Sequence, residues 1–513
     1  MRVGGNNLYI VTAKEMYDID HYTIEKVGID GKLLMENAGR EIARKVEAKV
    51  NEATDKMIVF AGAGNNGGDG FVIARTLLNR QYDVSIMQVV PNEKITGDAF
   101  FHKQLFVNCG GSVSLIAGEK EIANLVRNAD IIVDAMVGIG VKGILREPIA
   151  TIASIINKEA KAIISVDIPS GLPADEGISD FKSVQADYTI VIGAPKISLF
   201  LQHTAPFYGK WDLISIGFPL FAFQKYAHRY VVKTEHFQKT LPKRSPYSHK
   251  GSFGRGLVVG GSQEMPGSLV MAVKAALKSG AGLVTAGTIK SVIETIASEC
   301  IEATYLPLSE MNGYLDNDSQ ILLDKYDAIA IGIGMGRMDE TGILVRKIAK
   351  EANCPVVIDA DGLYHIKDCL TMLEKRTPPT IVTPHPGEMA MLLNIPVPEL
   401  LKAPFTYTLD FAKKYRVYVV LKGTYTIITA PNGKQAVSLA GNPGLAKGGS
   451  GDVLTGIILA MTMQDQSIFQ GICNACFIHG TAADMLVEEM HSYYDLMASD
   501  VIEGISKVYR TFS

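Results

Sequence analysis

Short runs of aliphatic and β-branched residues alternate along the chain with longer stretches whose apolar positions recur at helical spacing. The short runs read as strands: Met57–Ala61, Val84–Val90, Ile131–Val133, Ala162–Val166, Tyr188–Ile192, Leu257–Val259, Ala328–Ile331, Val356–Ile358 and Val417–Leu421. Gly68–Asn79, Ser268–Ser279 and Thr341–Ala352 are examples of the helices between them. Apolar strands alternating with helices predict parallel sheets covered on both faces, an α/β fold. The alternation breaks at 218–252, a segment richer in aromatic, basic and proline residues, and restarts at Gly256. Two α/β domains are therefore expected, 1–220 and 245–513, with 221–244 as the linker. Ligands of such sheets bind beyond the carboxyl ends of the strands, and the glycine-rich segments fall there.

Composition narrows the class. Of 513 residues, 47% are hydrophobic and 20% charged, which excludes a mostly disordered chain. Fifty basic and 54 acidic side chains leave a net charge of −4, so nothing calls for a nucleic-acid partner. The first residues lack a basic segment followed by an apolar core, and no apolar run reaches membrane-spanning length. No membrane partner and a cytoplasmic location are expected. Six cysteines make no disulfide framework. Cys473 and Cys476 form a C-x-x-C in an apolar helix with no second pair nearby, and are expected to pack rather than react.

The run MIVFAGAGNNGGDGFVIARTLL is strand, glycine-rich turn and helix, with Gly62, Gly64 and Gly67 in G-x-G-x-x-G spacing. Such a turn lets backbone approach a phosphate at a helix N-terminus and suggests a dinucleotide fold. The usual acidic residue after the next strand is poorly supplied, because Asp83 precedes that strand and Glu93 comes late. This weakens a dehydrogenase reading. Asn65, Asn66 and Asp69 add polar groups that a bare turn does not need. Two more turns, DAMVGIGVKG (Asp134–Gly143) and VDIPSG (Val166–Gly171), follow strands at the same sheet edge. That edge would gather Asn66, Asp134, Asp167 and Ser170, hard oxygen donors suited to an oxygen-preferring cation. A strand-end carboxylate serves as a general base or as a cap of the following turn, and spacing leaves both open for Asp134 and Asp167.

MENAG (Met35–Gly39), GAGNNGGDG, DAMVGIGVKG and VDIPSG, in that order, resemble the NAD(P)H-hydrate epimerase, the N-terminal domain of the NAD(P)H-hydrate repair enzymes, over most of residues 11–219. The resemblance implies a Rossmann-like three-layer sandwich. It would interconvert the R and S hydrates at C6 of the damaged nicotinamide ring (NADHX and NADPHX), with a potassium ion in the site. It further implies that Asn65, Asn66, Gly67, Gly68 and Asp69, with Gly138, Ile139, Gly140, Val141, Lys142, Gly143 and Ile144, hold the substrate. Asn66, Asp134 and Ser170 would contact potassium. Asp167 would meet the nicotinamide end and act as the acid/base group. Val137, Ile139 and Val141 depart from the Phe, Thr and Leu frequent in relatives.

The second half has neither a G-x-x-x-x-G-K-[ST] loop nor the protein-kinase motifs. It has GNPGLAKGGSGDVLTGIILAM (Gly441–Met461), where Gly448, Gly449 and Gly451 precede an apolar helix and Asp452 falls in its first turn. Free N–H groups there form an anion hole. A carboxylate beside it can take a proton from a hydroxyl while the N–H groups stabilise a transferring phosphoryl group. The bland alternative is a helix-terminal charge worth ~0.3–1 kcal/mol. Polar turns also follow other strands: SHKGSFGRGLVVGGS, IGIGMG, DADGL, TPHPGE and KGTYT. His385, between two prolines, is a candidate ligand contact, and Lys422 a candidate phosphate contact.

HKGSFG, DADGL, TPHPGE, KGTYT and GGSGD, in order over nearly all of 245–513, resemble the ribokinase-like superfamily and within it the NAD(P)H-hydrate dehydratases. The resemblance implies a ribokinase-like α/β domain in which a nucleotide phosphorylates the 6-hydroxyl of the S hydrate. Phosphate is then eliminated, restoring NADH or NADPH. Bacterial-type members use ADP and yield AMP, others use ATP, and magnesium accompanies the nucleotide. By motif, Asp452 is the base on the substrate hydroxyl, and Ser268, Gly336 and His385 line the hydrate site with it. Lys422, Gly423, Thr424, Tyr425, Thr426 and Gly451 would bind the nucleotide. Relatives tend to carry Ala at Ser268, Pro at Ile333 and Ala-Asn in place of Gly362 and Tyr364. The whole resembles a bifunctional repair enzyme, a homo-oligomer (dimer or tetramer) by family habit. Its rival is a ribokinase-like vitamin kinase fused to a nucleotide-binding domain without epimerase activity.

Overall fold

The computed structural model describes residues 8–50, 55–115, 118–140 and 143–512. Val141 and Lys142 of the expected substrate loop lie outside the described residues. By its contacts the chain divides into two compact units between His228 and Arg229.

The first unit is built on seven strands: β1 (Met57–Ala61), β2 (Val84–Gln88), β3 (Val113–Leu115), β4 (Ile131–Ala135), β5 (Ile163–Val166), β6 (Tyr188–Ile192) and β7 (Lys210–Ile214). Their order is β3-β2-β1-β4-β5-β6-β7, and every pair is parallel. Progression along the sheet reverses between β1 and β4, which opens a crevice at their carboxyl ends. Both strands are buried throughout. Val59, Ala61 and Val133 feed the core on one face, while Ile58, Phe60 and Ile132 feed the other, as the two-residue strand period requires.

Two expectations about local structure change here. Helix α1 spans Asn65–Leu78, so the NNGGD segment belongs to the helix rather than to a turn before it. Strand β4 runs to Ala135 and takes in Asp134, opposite Phe60 on one side and Ser165 on the other. A buried carboxylate is tolerable in a strand because a serine stands beside it in register. Gly62 is required by close approach, since a Cβ there would overlap the Met136 carbonyl oxygen.

The second unit carries β8 (Arg229–Val232), β9 (Arg255–Gly260), β10 (Leu283–Ile289), β11 (Thr304–Leu308), β12 (Ala328–Ile333), β13 (Val356–Ile358), β14 (Thr380–Val382), β15 (Tyr418–Leu421), β16 (Thr426–Thr429) and β17 (Gln435–Ser438). They lie side by side as β8-β17-β16-β15-β14-β13-β12-β9-β10-β11. The β15–β16 and β16–β17 pairs are antiparallel hairpin neighbours, and the rest are parallel. Helices α2 (Pro266–Lys278), α3 (Pro386–Leu393), α4 (Ser450–Thr462) and α5 (Ile468–Glu489) bear on the site.

Residues 221–244, expected as a linker, are largely regular structure. Leu220–Tyr226 is a helix, β8 pairs in parallel with β17, and Thr234–Thr240 is a second helix. Phe237 stacks on Phe477 of α5 with ring centroids 4.6 Å apart, and Thr240 Oγ1 donates to Asn474 Oδ1 at 3.1 Å. Phe237 and Thr240 thus find partners in the second unit, whereas Phe221, Phe223 and Tyr226 pack in the first, against Tyr22, Tyr9 and Phe218. Among the described residues no helix is long and apolar enough to cross a membrane. Cys473 and Cys476 are buried free thiols in α5, and burial pushes the Cys473 thiol up to about 12.

Candidate active sites

The first site is a cavity of about 440 Å³ over the ends of β1, β4 and β5. Asn65, Asn66 and Asp69 reach it from the start of α1, Gly138–Gly140 from the turn after β4, and Asp167 from the turn after β5. Met16, Leu34, Met35 and Phe218 supply apolar wall.

Asp167 has φ +64°, the left-handed region that side chains with a Cβ seldom adopt. Its amide donates to the Ile190 carbonyl at 2.8 Å, and its carboxylate accepts from the Ile192 amide at 2.9 Å and from Lys196 Nζ at 2.5 Å. Lys196 is 1% exposed and lines the same cavity. A parallel bridge to Val11 fixes its backbone. Asp69 faces the cavity as well. Burial lifts its carboxyl well above the ordinary range, and the charges of Asp167 and Asp20 add to the shift.

Asp134 is fully buried and accepts from Ser165 Oγ at 2.8 Å, the Ser170 amide at 2.8 Å, Ser170 Oγ at 2.5 Å and the Met136 amide at 3.3 Å. Burial still raises its pKa despite these donors. Ser170 Oγ also accepts from the Val137 amide at 2.9 Å, so the pair ties the glycine turn after β4 to the turn after β5. Asn66 Nδ2 is buried without a hydrogen-bond partner. Gly67 and Gly68 are packing positions rather than cavity walls. A Cβ on them would overlap the Gly62 carbonyl and the Met35 sulfur respectively. Ile144, expected to touch substrate, stands 51% exposed, just beyond Gly143.

The second site gathers at the start of α4. Gly449 caps that helix at φ +90° and offers no side chain to its amides; the Ser450 amide donates to the Lys447 carbonyl at 3.4 Å, and the Gly451 and Asp452 amides that follow are left for an anion. Behind them lies a buried ion pair. Asp359, directly after β13, accepts from Lys422 Nζ at 2.9 Å and from Thr455 Oγ1 of α4 at 2.6 Å. Lys422 follows β15, and its amide donates to the Pro384 carbonyl at 2.9 Å. This joins KGTYT to TPHPGE. Gly423, Thr424 and Tyr425 form the β15–β16 hairpin loop, with Thr426 opening β16. A Cβ on Gly451 would stand 3.3 Å from Lys422 Nζ, so the anion loop rests against the lysine.

Charge divides unevenly among the carboxylates. Burial would raise Asp359, but Lys422 and the Thr455 hydroxyl hold it below the usual range. Asp452, in the first turn of α4, is pushed up to about 7 by burial and then by the Asp359 charge, while the Ser268 hydroxyl and Lys422 act the other way. A carboxylate with that pKa is a capable base at neutral pH.

His385 caps α3. Its Nδ1 accepts from the Gly387 amide at 3.0 Å and the Glu388 amide at 3.3 Å, and its own amide donates to Glu388 Oε2 at 2.8 Å. Nδ1 therefore carries no proton and Nε2 does. Burial and the Lys422 charge favour this neutral ring, whose side chain is 56% exposed. Gly336 is pinned by its amide to Asp361 Oδ2 at 2.9 Å and by its carbonyl to His365 Nε2 at 2.9 Å. Its φ of +74° and the nearby Tyr314 ring leave no room for a Cβ.

Residues 256–507 match a family model described as NAD(P)H-hydrate dehydratase, and residues 31–198 one described as YjeF-related protein N-terminus. The bifunctional NAD(P)H-hydrate repair enzyme Nnr of Moorella thermoacetica is 34% identical over 98% of this chain and 97% of its own. That of Thermofilum pendens is 33% identical over 94% and 92%. The chain belongs to the bifunctional NAD(P)H-hydrate repair enzymes. A ribokinase-like superfamily protein from Enterococcus faecalis is alike in fold, with TM-score 0.50 and 22% identity over 56% of this chain and 97% of that one.

Within this repair-enzyme chain, four side chains in the two clusters escaped the motif reading: Lys196, Asp359, Glu388 and Thr455. Asp359 and Glu388 stand in the strand-end segments DADGL and TPHPGE, while Lys196 follows the strand Tyr188–Ile192 by four residues. Thr455 lies one helical turn past Ser450–Asp452 on α4. What the sequence did not carry was the pairing, since Lys196 meets Asp167 across 29 residues and Lys422 meets Asp359 across 63.

Proposed function

We propose that this repair-enzyme chain interconverts the R and S hydrates of NADH and NADPH in its first unit and dehydrates the S hydrate in its second, with ADP as phosphoryl donor. The observation that carries the reading is Asp452, a carboxylate near neutrality beside uncapped helix amides. Asp452 takes the proton of the 6-hydroxyl as that oxygen attacks the terminal phosphorus of ADP, releasing AMP. The amides of α4 stabilise the transferring charge. Loss of phosphate from C6 and of a proton from C5 then restores the reduced ring. Lys422, Thr424, Tyr425 and Gly451 face the nucleotide in this reading, with its magnesium, and neutral His385 donates from Nε2 to the hydrate.

In the first unit Asp167, paired with Lys196 at 2.5 Å, is the acid/base group at the hydrated carbon. Potassium suits the oxygen-rich donors there. The Asn66 carboxamide is buried and unsatisfied, so a half-turn would present its oxygen to a cation. With Asp134 and Ser170 it would hold the ion, which would supply a fixed positive charge.

The test is the recovery of reduced-nicotinamide absorbance from a mixed R and S stock, with ADP and ATP supplied separately. Full recovery with ADP is expected. Recovery that stops at the S fraction would remove the epimerase half of the proposal. No recovery with either nucleotide, together with a stable phosphate ester, would favour a vitamin kinase.

A further inference from the structure

Helices α2 and α4 touch at backbone level at their midpoints. A Cβ on Gly456 of α4 would overlap the Ala272 carbonyl of α2. Ser268 and Asp452 each stand four residues before that contact, on the same helix faces, so the register sets them opposite one another. A Cβ on Gly334 would come 2.9 Å from the Ser268 Cβ, so the loop after β12 crowds the serine from another side. Met271 of α2 is packed equally closely against Gly449. The Ser268 hydroxyl stands near enough to Asp452 to favour its ionised carboxylate, against burial and the Asp359 charge.

We propose that Ser268 is a positioning residue, holding the Asp452 carboxylate in the orientation from which it takes the substrate proton. This rests on Asp452 being the base of the dehydratase site. The other charged groups facing Asp452 are Asp359 and Asp361, from the segment after β13, and Lys422, from the end of β15. Lys422 is engaged with Asp359 at 2.9 Å. The serine is a neutral donor. It steadies the ionised carboxylate against the two neighbouring acids without supplying a counter-charge, which would weaken the base. No proton leaves Ser268 during the reaction. The proton of the 6-hydroxyl passes to Asp452 as the new oxygen–phosphorus bond forms.

The deciding experiment is kcat/KM for dehydration of S hydrate with ADP between about pH 6 and pH 9, for the full chain and for Ser268→Ala, Ser268→Thr and Asp452→Asn. Losing a donor to the ionised carboxylate raises its pKa, so the acidic limb of Ser268→Ala should move up by about one pH unit. The variant should lose about ten-fold at low pH and less than about two-fold at pH 9. Ser268→Thr keeps the hydroxyl and should restore the wild-type limb, which guards against a loss caused by misfolding. A profile superimposed on wild type, or a loss uniform across pH, would overturn the positioning role and leave Asp452 as the base. Dehydration surviving in Asp452→Asn would overturn the base assignment itself.

Discussion

The two sites use the same parts in opposite arrangements. Each has a buried aspartate–lysine pair at strand ends, Asp167–Lys196 in the first unit and Asp359–Lys422 in the second. In the first, the paired aspartate itself faces the cavity. In the second, the pair stands behind the glycine-rich start of α4, and a different aspartate, Asp452, is the proposed base. One arrangement pairs the lysine directly with the aspartate that faces the cavity. The other pairs the lysine with Asp359, while burial and then the Asp359 charge raise Asp452 toward neutrality. Proton exchange at a hydrated carbon tolerates the first. Deprotonating an alcohol for phosphoryl transfer calls for the stronger base of the second.

The largest expected effect separates the sites outright. Asp452→Asn should cut dehydration by about 10³-fold or more and leave epimerisation within about two-fold, read from separate R and S assays. Asp167→Asn should do the reverse by about 10²-fold. A variant that silences both activities while folded would break the comparison.

Lys196→Met sharpens it next. It leaves Asp167 buried and unpaired, so the first unit should lose about 3 kcal/mol in a denaturant titration along with its activity. Gly62→Ala should lower the stability of the same unit by about 2 kcal/mol, because the new methyl meets the Met136 carbonyl. Nucleotide-dependent turnover of S hydrate should survive both.

The pH response is subtler. Asp452 has a folded pKa of about 7 against an ordinary value of 3.8. The folded state therefore holds its proton more tightly than the unfolded one. Stability from this group is full below about pH 4 and is lost as pH rises through 7. Asp452→Asn should thus gain about 2 kcal/mol at pH 8 in urea unfolding, and nothing at pH 4. No gain would mean that the carboxylate is ionised without penalty. The smallest expected effect belongs to Cys473→Ala, which should change both activities by less than about two-fold in steady-state assays, because its thiol is buried and protonated.

Much of this was legible in the residues. Fully apolar runs gave β1 and β4 their place at the centre of a parallel sheet, and glycine-dense turns marked both strand-end sites. The helix α1 boundary was missed because Asn65–Asp69 has poor helix propensity, and burial of Asn66–Leu77 against the sheet overrides it. Asp134 read equally well as ligand, base or cap. Its four donors come from β5, the turn after β5 and the turn after β4, which spacing along the chain does not reveal. Nothing in the sequence singled out Lys196, whose burial beside a backbone bridge to Val11 only the structure shows. Tyr230–Val232 is a short apolar run inside a basic, aromatic stretch, and only its partner strand distinguishes it from a connector.

That strand has a practical corollary for dissecting the protein. Cutting at 245, where alternation resumes in the sequence, would strip β8 from β17 and leave Gln435–Ser438 as a naked, fully buried-type edge. Such an edge recruits strands from other molecules. A fragment cut there would be prone to self-association even with its phosphoryl-transfer residues intact, whereas one starting at or before Arg229 would keep β17 covered by β8.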